Sequence, residues 1–296
     1  MLAWFAGTIE TWQWIVALSM GVLLNAFLLA FSLKKGFLTA GGAIIALLMG
    51  TTTWMAHPVF FLLLILFFVS SSFLSKVTSL EKADAQDLAS KGGTRDAMQV
   101  LANGGVACVA SFTFLVVRVS GSMAEWVLRV GTGAAAATIA SVAAATADTW
   151  ATEIGTLATQ DPAWILDWRK HVAPGTSGGV TKLGTLASLA GSFTIAILGV
   201  TIGGITSMYS LDMTALFTLW AATGLAGFAG CFLDSLLGAT VQGFYQCQSC
   251  GKGTEKRVHC GKETVLSRGN AWFGNDLVNF LATLLAGCIA FIIGAS

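Results

Sequence analysis

Eight stretches of this chain are apolar over the length a bilayer core demands, and that limits its fold more than any other feature. They run over about Trp12–Phe31, Phe37–Met55, Pro58–Leu74, Ala97–Val117, Ala124–Ala147, Leu183–Ser207, Asp212–Leu237 and Gly274–Ile292. A helix crosses the hydrocarbon in about 20 residues. In lipid every backbone polar group must be satisfied internally, which leaves helices or a closed barrel. Only 10% of the 296 residues are charged, against about 25% in soluble domains. The expected fold is therefore all-α: one integral membrane domain over residues 1–296, a bundle of about eight transmembrane helices. With three prolines in the whole chain, the helices should be long and mostly unbroken.

The basic residues orient this bundle. Lys34, Lys35, Lys76, Lys82, Lys91, Arg95, Arg169, Lys170, Lys182, Lys252, Lys256, Arg257, Lys262 and Arg268 fall on one side of the alternating topology, and only Arg118 and Arg129 on the other. By the positive-inside rule the rich side is cytoplasmic. Both termini then lie outside, and three long loops, Ser75–Asp96, Asp148–Thr181 and Gln242–Phe273, lie inside. A prokaryotic plasma membrane is the expected location. A net charge of +1, without a basic and aromatic tract, excludes a nucleic-acid partner. The bilayer itself is the partner that composition requires, and the oligomeric state is left open.

Polar residues concentrate where segments meet the inner face. Asp148, Thr149, Thr152 and Glu153 follow a run of Ala, Gly, Ser and Thr; Asp234-Ser235 ends the seventh segment; Asp276 and Asn279 open the eighth. Ionisable groups at such places mark sites by default. Carboxylates with neighbouring hydroxyls suit Mg²⁺, which takes oxygen ligands and substrate phosphates. Asp148, Thr149, Glu153, Asp234 and Asp276 are the candidate ligands.

Two loops offer anion contacts. Gly175-Thr176-Ser177-Gly178-Gly179-Val180-Thr181-Lys182 leads into the sixth segment. Its small residues let backbone N–H groups approach a phosphate at a helix start, although it is no Walker A sequence. Lys91 and Arg95, ahead of Gln99 and Asn103, could grip a diphosphate, the arginine through its bidentate fork. A flexible linker and a charged flank are the plainer readings of the two loops. Gly-Gly pairs at Gly41, Gly104 and Gly178, each followed by an apolar hairpin ending in a Ser or Asp motif, suggest internal hairpin repeats. Within 242–273, Cys247-x-x-Cys250 followed by His259-Cys260 fits a small structural Zn²⁺ insert. His57, in the two-residue turn between the second and third segments, reads as an interfacial residue.

Five motifs, T-A-D-T-W-A-T-E-I-G, P-G-T-S-G-G-V-T-K-L-G-T-L-A-S, F-L-D-S-L-L-G-A-T-V-Q, K-G-G-T-R-D-A-M-Q-V-L-A-N-G-G and N-D-L-V-N-F, together resemble the integral-membrane family called domain of unknown function ninety-two. The family includes a plant plastid phytyl-phosphate kinase, so the resemblance implies a kinase-type role for the motif positions. On that reading the substrates are a nucleoside triphosphate, with CTP a candidate donor, and a phytyl or polyisoprenyl monophosphate, which leaves as the diphosphate. Asp148, Asp234 and Lys182 are the candidate catalytic residues, Mg²⁺ the cofactor, and Ser235 and Asn279 further phosphate contacts. The resemblance also implies that the Cys-rich loop lies outside the chemistry. A transporter or lipid flippase, and a nucleotidyltransferase acting on a lipid phosphate, are the alternative activities.

Overall fold

The computed structural model describes residues 11–76, 93–209 and 211–296. Among them are eight helices: α1 (Thr11–Lys34), α2 (Ala40–Ala56), α3 (Pro58–Leu74), α4 (Ala97–Ser120), α5 (Glu125–Gly155), α6 (Lys182–Ile205), α7 (Met213–Thr240) and α8 (Asn275–Ala295). Six are long and apolar enough to cross a membrane. The other two, α2 and α3, have 17 residues each, about 25 Å at 1.5 Å per residue, and form the tight hairpin that the sequence calls for. Large apolar side chains such as Leu23, Phe27, Val109 and Phe217 point away from the bundle, as lipid-facing surfaces require.

Helix α5 is the axis of the structure. Every residue from Gly133 to Ala147 is buried, and α3, α4, α6, α7 and α8 all pack on it. Small side chains permit this, because helices in lipid associate by close backbone approach. A Cβ on Gly230 of α7 would stand 2.9 Å from Ala144 Cβ and 2.8 Å from the Ala282 carbonyl oxygen of α8. One on Gly287 would meet Ser141 Oγ at 2.8 Å. Ser141 Oγ also donates to the Thr283 carbonyl at 3.3 Å, and Thr283 Oγ1 to the Ala102 carbonyl of α4 at 3.2 Å. These contacts fix the register of four helices.

Two helices run past the ends expected from hydropathy. With 31 residues, α5 is about 46 Å long, well beyond a hydrocarbon core of about 30 Å. It continues to Gly155 because Asp148–Ile154 contains no glycine or proline to stop it. With 28 residues, α7 continues likewise to Thr240. Asp148, Thr149, Asp234 and Ser235 therefore stand inside helices and Glu153 in the last turn of α5, none of them in a loop.

The connections at this end are also more regular than a purely helical reading allows. Between α5 and α6, β1 (Ala163–Trp164) pairs antiparallel with both β2 (Asp167–His171) and β3 (Gly179–Val180). Between α7 and α8, β4 (Phe244–Gln246) pairs antiparallel with β5 (Gly253–Thr254) and β8 (Val265–Arg268), and β6 (Val258–His259) pairs with β7 (Lys262–Glu263). Strands of two to five residues are too short for alternation to register in a sequence. The two units meet at Arg268, which donates to the carbonyls of Ser177 and Gly238 and lies over the rings of Trp164 and Phe244. Burial pushes its pKa down, and nearby Glu255 opposes that shift.

At the opposite end Arg118 donates to the Ala56 carbonyl, and Arg129 pairs with Glu125. His57 is buried there rather than interfacial: it caps α3 through Nδ1 and packs edge-on against Phe60 and Phe114. The Gly-Gly pairs occupy unlike positions. Gly41-Gly42 lies in the first turn of α2, Gly104-Gly105 two turns inside α4, and Gly178-Gly179 in the turn and strand before α6.

Candidate functional site

Three helices carry acids to one level. Gly230 lies against both Ala144 and Ala282. One turn nearer the loops, the same helices present Asp234, Asp148 and, from α8, Asn279. The Ser141–Thr283 contact gives an independent register. Seven residues along α5 and seven back along α8, about two turns on each, are Asp148 and Asp276. Asp148 and Asp234 are within electrostatic reach of one another, and Cys231 is within reach of both. Asp234 Oδ2 and Asn279 Oδ1 are buried and accept no hydrogen bond. Buried polar atoms are nearly always partnered, and a partnerless carboxylate oxygen facing other carboxylates is the arrangement a cation satisfies.

Glu153 does not join this level. Five residues beyond Asp148, it faces α3, where Ser75 Oγ donates to its Oε1 at 2.5 Å. Arg95 completes that neighbourhood: its Nη1 donates to Ser72 Oγ at 2.9 Å, its guanidinium lies over Phe68, and Glu153 is within electrostatic reach. Burial lowers the Arg95 pKa and Glu153 opposes the shift. The backbone holds Arg95 in place, because Thr39 N–H donates to its carbonyl and its own N–H to the Phe37 carbonyl. Trp150 Nε1 donates to Ser70 Oγ at 3.1 Å, so the Ser70–Ser75 stretch spans the ends of α3 and α5. Asp96 and Gln99 form a capping box, and Asn103 Nδ2 donates to the Gln99 carbonyl. Lys91 lies outside the described residues.

The glycine-rich loop closes over the end of α7. Gly175 and Gly178 have φ of +82° and +86°, which glycine adopts at no steric cost. A Cβ on Gly178 would stand 2.5 Å from Ala239 Cβ. Its hydroxyls have work inside the fold: Ser177 Oγ donates to Glu255, and Thr181 Oγ1 accepts the Gly184 N–H as the N-cap of α6. Thr176 N–H donates to the Ala173 carbonyl, and the Thr176 carbonyl accepts from Gly179. Lys182 is exposed at the first position of α6. Thr149 Oγ1 donates back to the Ala145 carbonyl.

A charged group that no sequence motif marks sits above the acids. A cleft of about 430 Å³ runs between the β4–β8 unit and the start of α8, bordered by Glu255, Lys256, Arg257, Tyr245, Asn275 and Asp276. Glu255 is within electrostatic reach of Asp234, so the cleft mouth and the acidic level adjoin. Arg257 Nη2 donates to the Ala271 carbonyl at 2.6 Å. In the sequence, Glu255-Lys256-Arg257 is a charged run between two Cys motifs; only the fold turns it toward the cleft and Asp234.

The Cys-rich segment folds into two hairpins whose tips face each other. Cys247, Cys250, His259 and Cys260 bring their side-chain ligand atoms within 4.8 Å of one another. Hydrogen bonding from the Cys250 backbone, then from His259, draws the Cys247 thiol down to about 6, whereas Cys250 pushes Cys260 up to about 11.

Comparison with known proteins agrees with this architecture. The family model described as integral membrane protein DUF92 matches residues 23–287. Protein PGR of Arabidopsis thaliana is 30% identical over 92% of this chain and 94% of its own length. Protein VTE6, chloroplastic, from the same plant is 27% identical over 95% of this chain and 72% of its own. An uncharacterized membrane protein of Methanocaldococcus jannaschii is 30% identical over 52% of this chain and 49% of its own. No solved structure matches. A chloroplastic relative lends no support to the expected prokaryotic plasma membrane. With most of its length matched by the family model and by a 30% identical relative, this chain belongs to the DUF92 family of integral membrane proteins.

Proposed function

We propose that the protein is a membrane lipid-phosphate kinase, transferring the terminal phosphoryl group of a nucleoside triphosphate to a phytyl or polyisoprenyl monophosphate. The nucleoside diphosphate leaves, and the lipid becomes a diphosphate. The observation that carries this reading is the shared level of Asp148, Asp234, Asp276 and Asn279 directly beneath a cleft edged by Lys256 and Arg257. Phosphoryl transfer asks a protein chiefly to position its reactants and neutralise their charge. Acids next to bases, at the end of a lipid-embedded bundle, offer both.

The buried, unpartnered Oδ2 of Asp234 fits a divalent cation. Asp148, Asp234 and Asp276 would hold Mg²⁺, which when bound would offset the negative charge of the phosphates. Lys256 and Arg257 contact the donor phosphates from the cleft. The Gly175–Lys182 loop supplies main-chain N–H groups and the Lys182 ammonium, because its Ser177 and Thr181 hydroxyls are already engaged. Arg95, with Lys91, takes the acceptor phosphate, and the prenyl tail lies along the apolar outer surfaces of α3 and α4. CTP is the donor we favour, on the family resemblance. Against a transporter stands the close packing of small residues from Gly133 to Ala147 along the centre of the bundle. A nucleotidyltransferase would use the same groups but release pyrophosphate.

The test is direct. Purified protein is given CTP, ATP, GTP or UTP with phytyl, geranylgeranyl or farnesyl phosphate, and the products are separated. Mg²⁺-dependent lipid diphosphate with nucleoside diphosphate is expected. Nucleotide-linked lipid with pyrophosphate would replace kinase by nucleotidyltransferase, and no product with any pair would overturn both.

A further inference from the structure

We propose that Cys247, Cys250, His259 and Cys260 bind one Zn²⁺, and that this ion fixes the segment carrying Glu255, Lys256 and Arg257 against the glycine-rich loop. The geometry suits the metal. His259 Nδ1 lies 3.6 Å from Cys250 Sγ and 3.2 Å from Cys260 Sγ. Tetrahedral zinc with Zn–S near 2.3 Å and Zn–N near 2.0–2.1 Å places adjacent S and N ligands about 3.5 Å apart. All four ligand atoms fall within 4.8 Å of one another, so little movement closes the site.

The backbone is shaped for it as well. Each hairpin tip ends in a glycine with positive φ, Gly251 at +73° after Cys250 and Gly261 at +72° after Cys260. In the first tip, Gly251 N–H donates to the Cys247 carbonyl and Cys247 N–H to the Lys252 carbonyl, both at 2.9 Å. This tight turn aims two sulfurs to the same side. Cys260 itself adopts φ +53°, one of two non-glycine residues with positive φ among those described. Such strain persists where the surroundings over-determine it, and it is what lets adjacent His259 and Cys260 both reach one point. Zinc with three thiolates and a neutral imidazole carries a net charge of about −1. Lys252 and Lys256 border the same cluster and balance it.

The site has a structural consequence. Strands β5, β6 and β7 have two residues each and little apolar surface. A metal cross-link between β4 and β6 supplies the cohesion that such short strands lack. The clamped segment contains Glu255, which accepts a hydrogen bond from Ser177. The metal thus holds the cleft wall in register with the end of α7, without itself touching it.

Zinc content decides the matter independently of any activity. Protein purified in detergent without chelator should hold about one zinc per chain by elemental analysis. Cys247→Ser with Cys250→Ser should lower that at least tenfold. Replacing Cys108, Cys231 and Cys288, which lie in helices, by serine should leave it unchanged. After stripping, Co²⁺ should restore sulfur-to-cobalt charge-transfer and tetrahedral d–d absorption, and hydrogen exchange over 244–268 should slow again. Metal-free wild-type protein that gives no charge-transfer band with Co²⁺ would overturn the proposal. So would zinc that survives the double substitution, or a disulfide among these cysteines.

Discussion

Asp234 offers a perturbation whose stability and activity effects should have opposite signs. Its Oδ2 is buried and accepts no hydrogen bond, while Asp148 and Glu255 lie within electrostatic reach. A buried acceptor left unmade costs about 1–3 kcal/mol, and more when charged. Ionised carboxylates within reach of one another, at an effective dielectric near 20, add repulsion on the order of a few kcal/mol. Asp234→Asn keeps the shape and removes the charge, so without divalent cations the variant should be more stable than wild type by at least about 1 kcal/mol. For a chain of this size that is a rise in apparent melting temperature of about 2–4 °C or more. The assay is thermal unfolding of both proteins in detergent, first in EDTA and then in millimolar Mg²⁺. Wild type should gain stability on adding Mg²⁺, because a ligand of the native state stabilises it by mass action, while Asp234→Asn should gain almost nothing. Lipid-phosphate kinase activity should fall at least about 100-fold. A variant that melts below wild type in EDTA would refute the reasoning, since Asp234 would then be a satisfied structural group and not a cation ligand.

Lys256→Ala should raise KM for the nucleotide about tenfold, roughly 1.4 kcal/mol, with little change in melting temperature, as steady-state kinetics would register. Gly230→Val forces a branched side chain where a Cβ alone would stand 2.8 Å from a backbone oxygen; overpacking of this kind costs about 1–3 kcal/mol or more, visible as loss of monodisperse protein on size exclusion. Arg268→Ala removes two charged hydrogen bonds and two ring contacts that join the small sheets. Limited proteolysis of 160–180 and 244–268 should quicken several-fold, and Arg268→Lys should restore protection only in part. Ser75→Ala should cost about 1.5–3 kcal/mol, because it removes the half-buried hydroxyl that donates to the Glu153 carboxylate and to the Ser71 carbonyl.

The membrane helices were legible because lipid imposes a length and a composition at once; all eight expected segments overlap helices in the structure. Hydropathy goes quiet where helices leave the hydrocarbon, so the last two turns of α5 and the end of α7 read as loop. The presence of Asp148 and Asp234 near one face was legible from topology. That Glu153 turns toward Ser75 and Arg95 was not, since it depends on rotation about a helix rather than on depth. The Cys-x-x-Cys and His-Cys pairs stood out by spacing. Glu255, Lys256 and Arg257 did not: nothing local marks a charge run as facing a cleft, and only the pairing of β4 with both β5 and β8 turns it there. The glycine-rich loop shows the converse, since its hydroxyls, conspicuous in sequence, are largely spent on the loop's own architecture.

The crowding around α5 bears on how the chain is made. Its mean hydropathy, 1.4, is the lowest of the six long helices, and its buried surface is Ala, Gly, Ser and Thr rather than Leu or Phe. Ribosomes add about 5–20 residues per second, so on the order of ten seconds separate completion of Gly155 from emergence of Asn275. Throughout that interval the helix has neither α8 nor the whole of its later company, and its hydroxyl-bearing stripe faces acyl chains. The nascent segment must therefore be retained beside the insertion machinery, or shielded by α3 and α4, until its last neighbour arrives. Truncation ahead of α8 should leave α5 open to degradation, which ties quality control of the entire polypeptide to its final twenty or so residues.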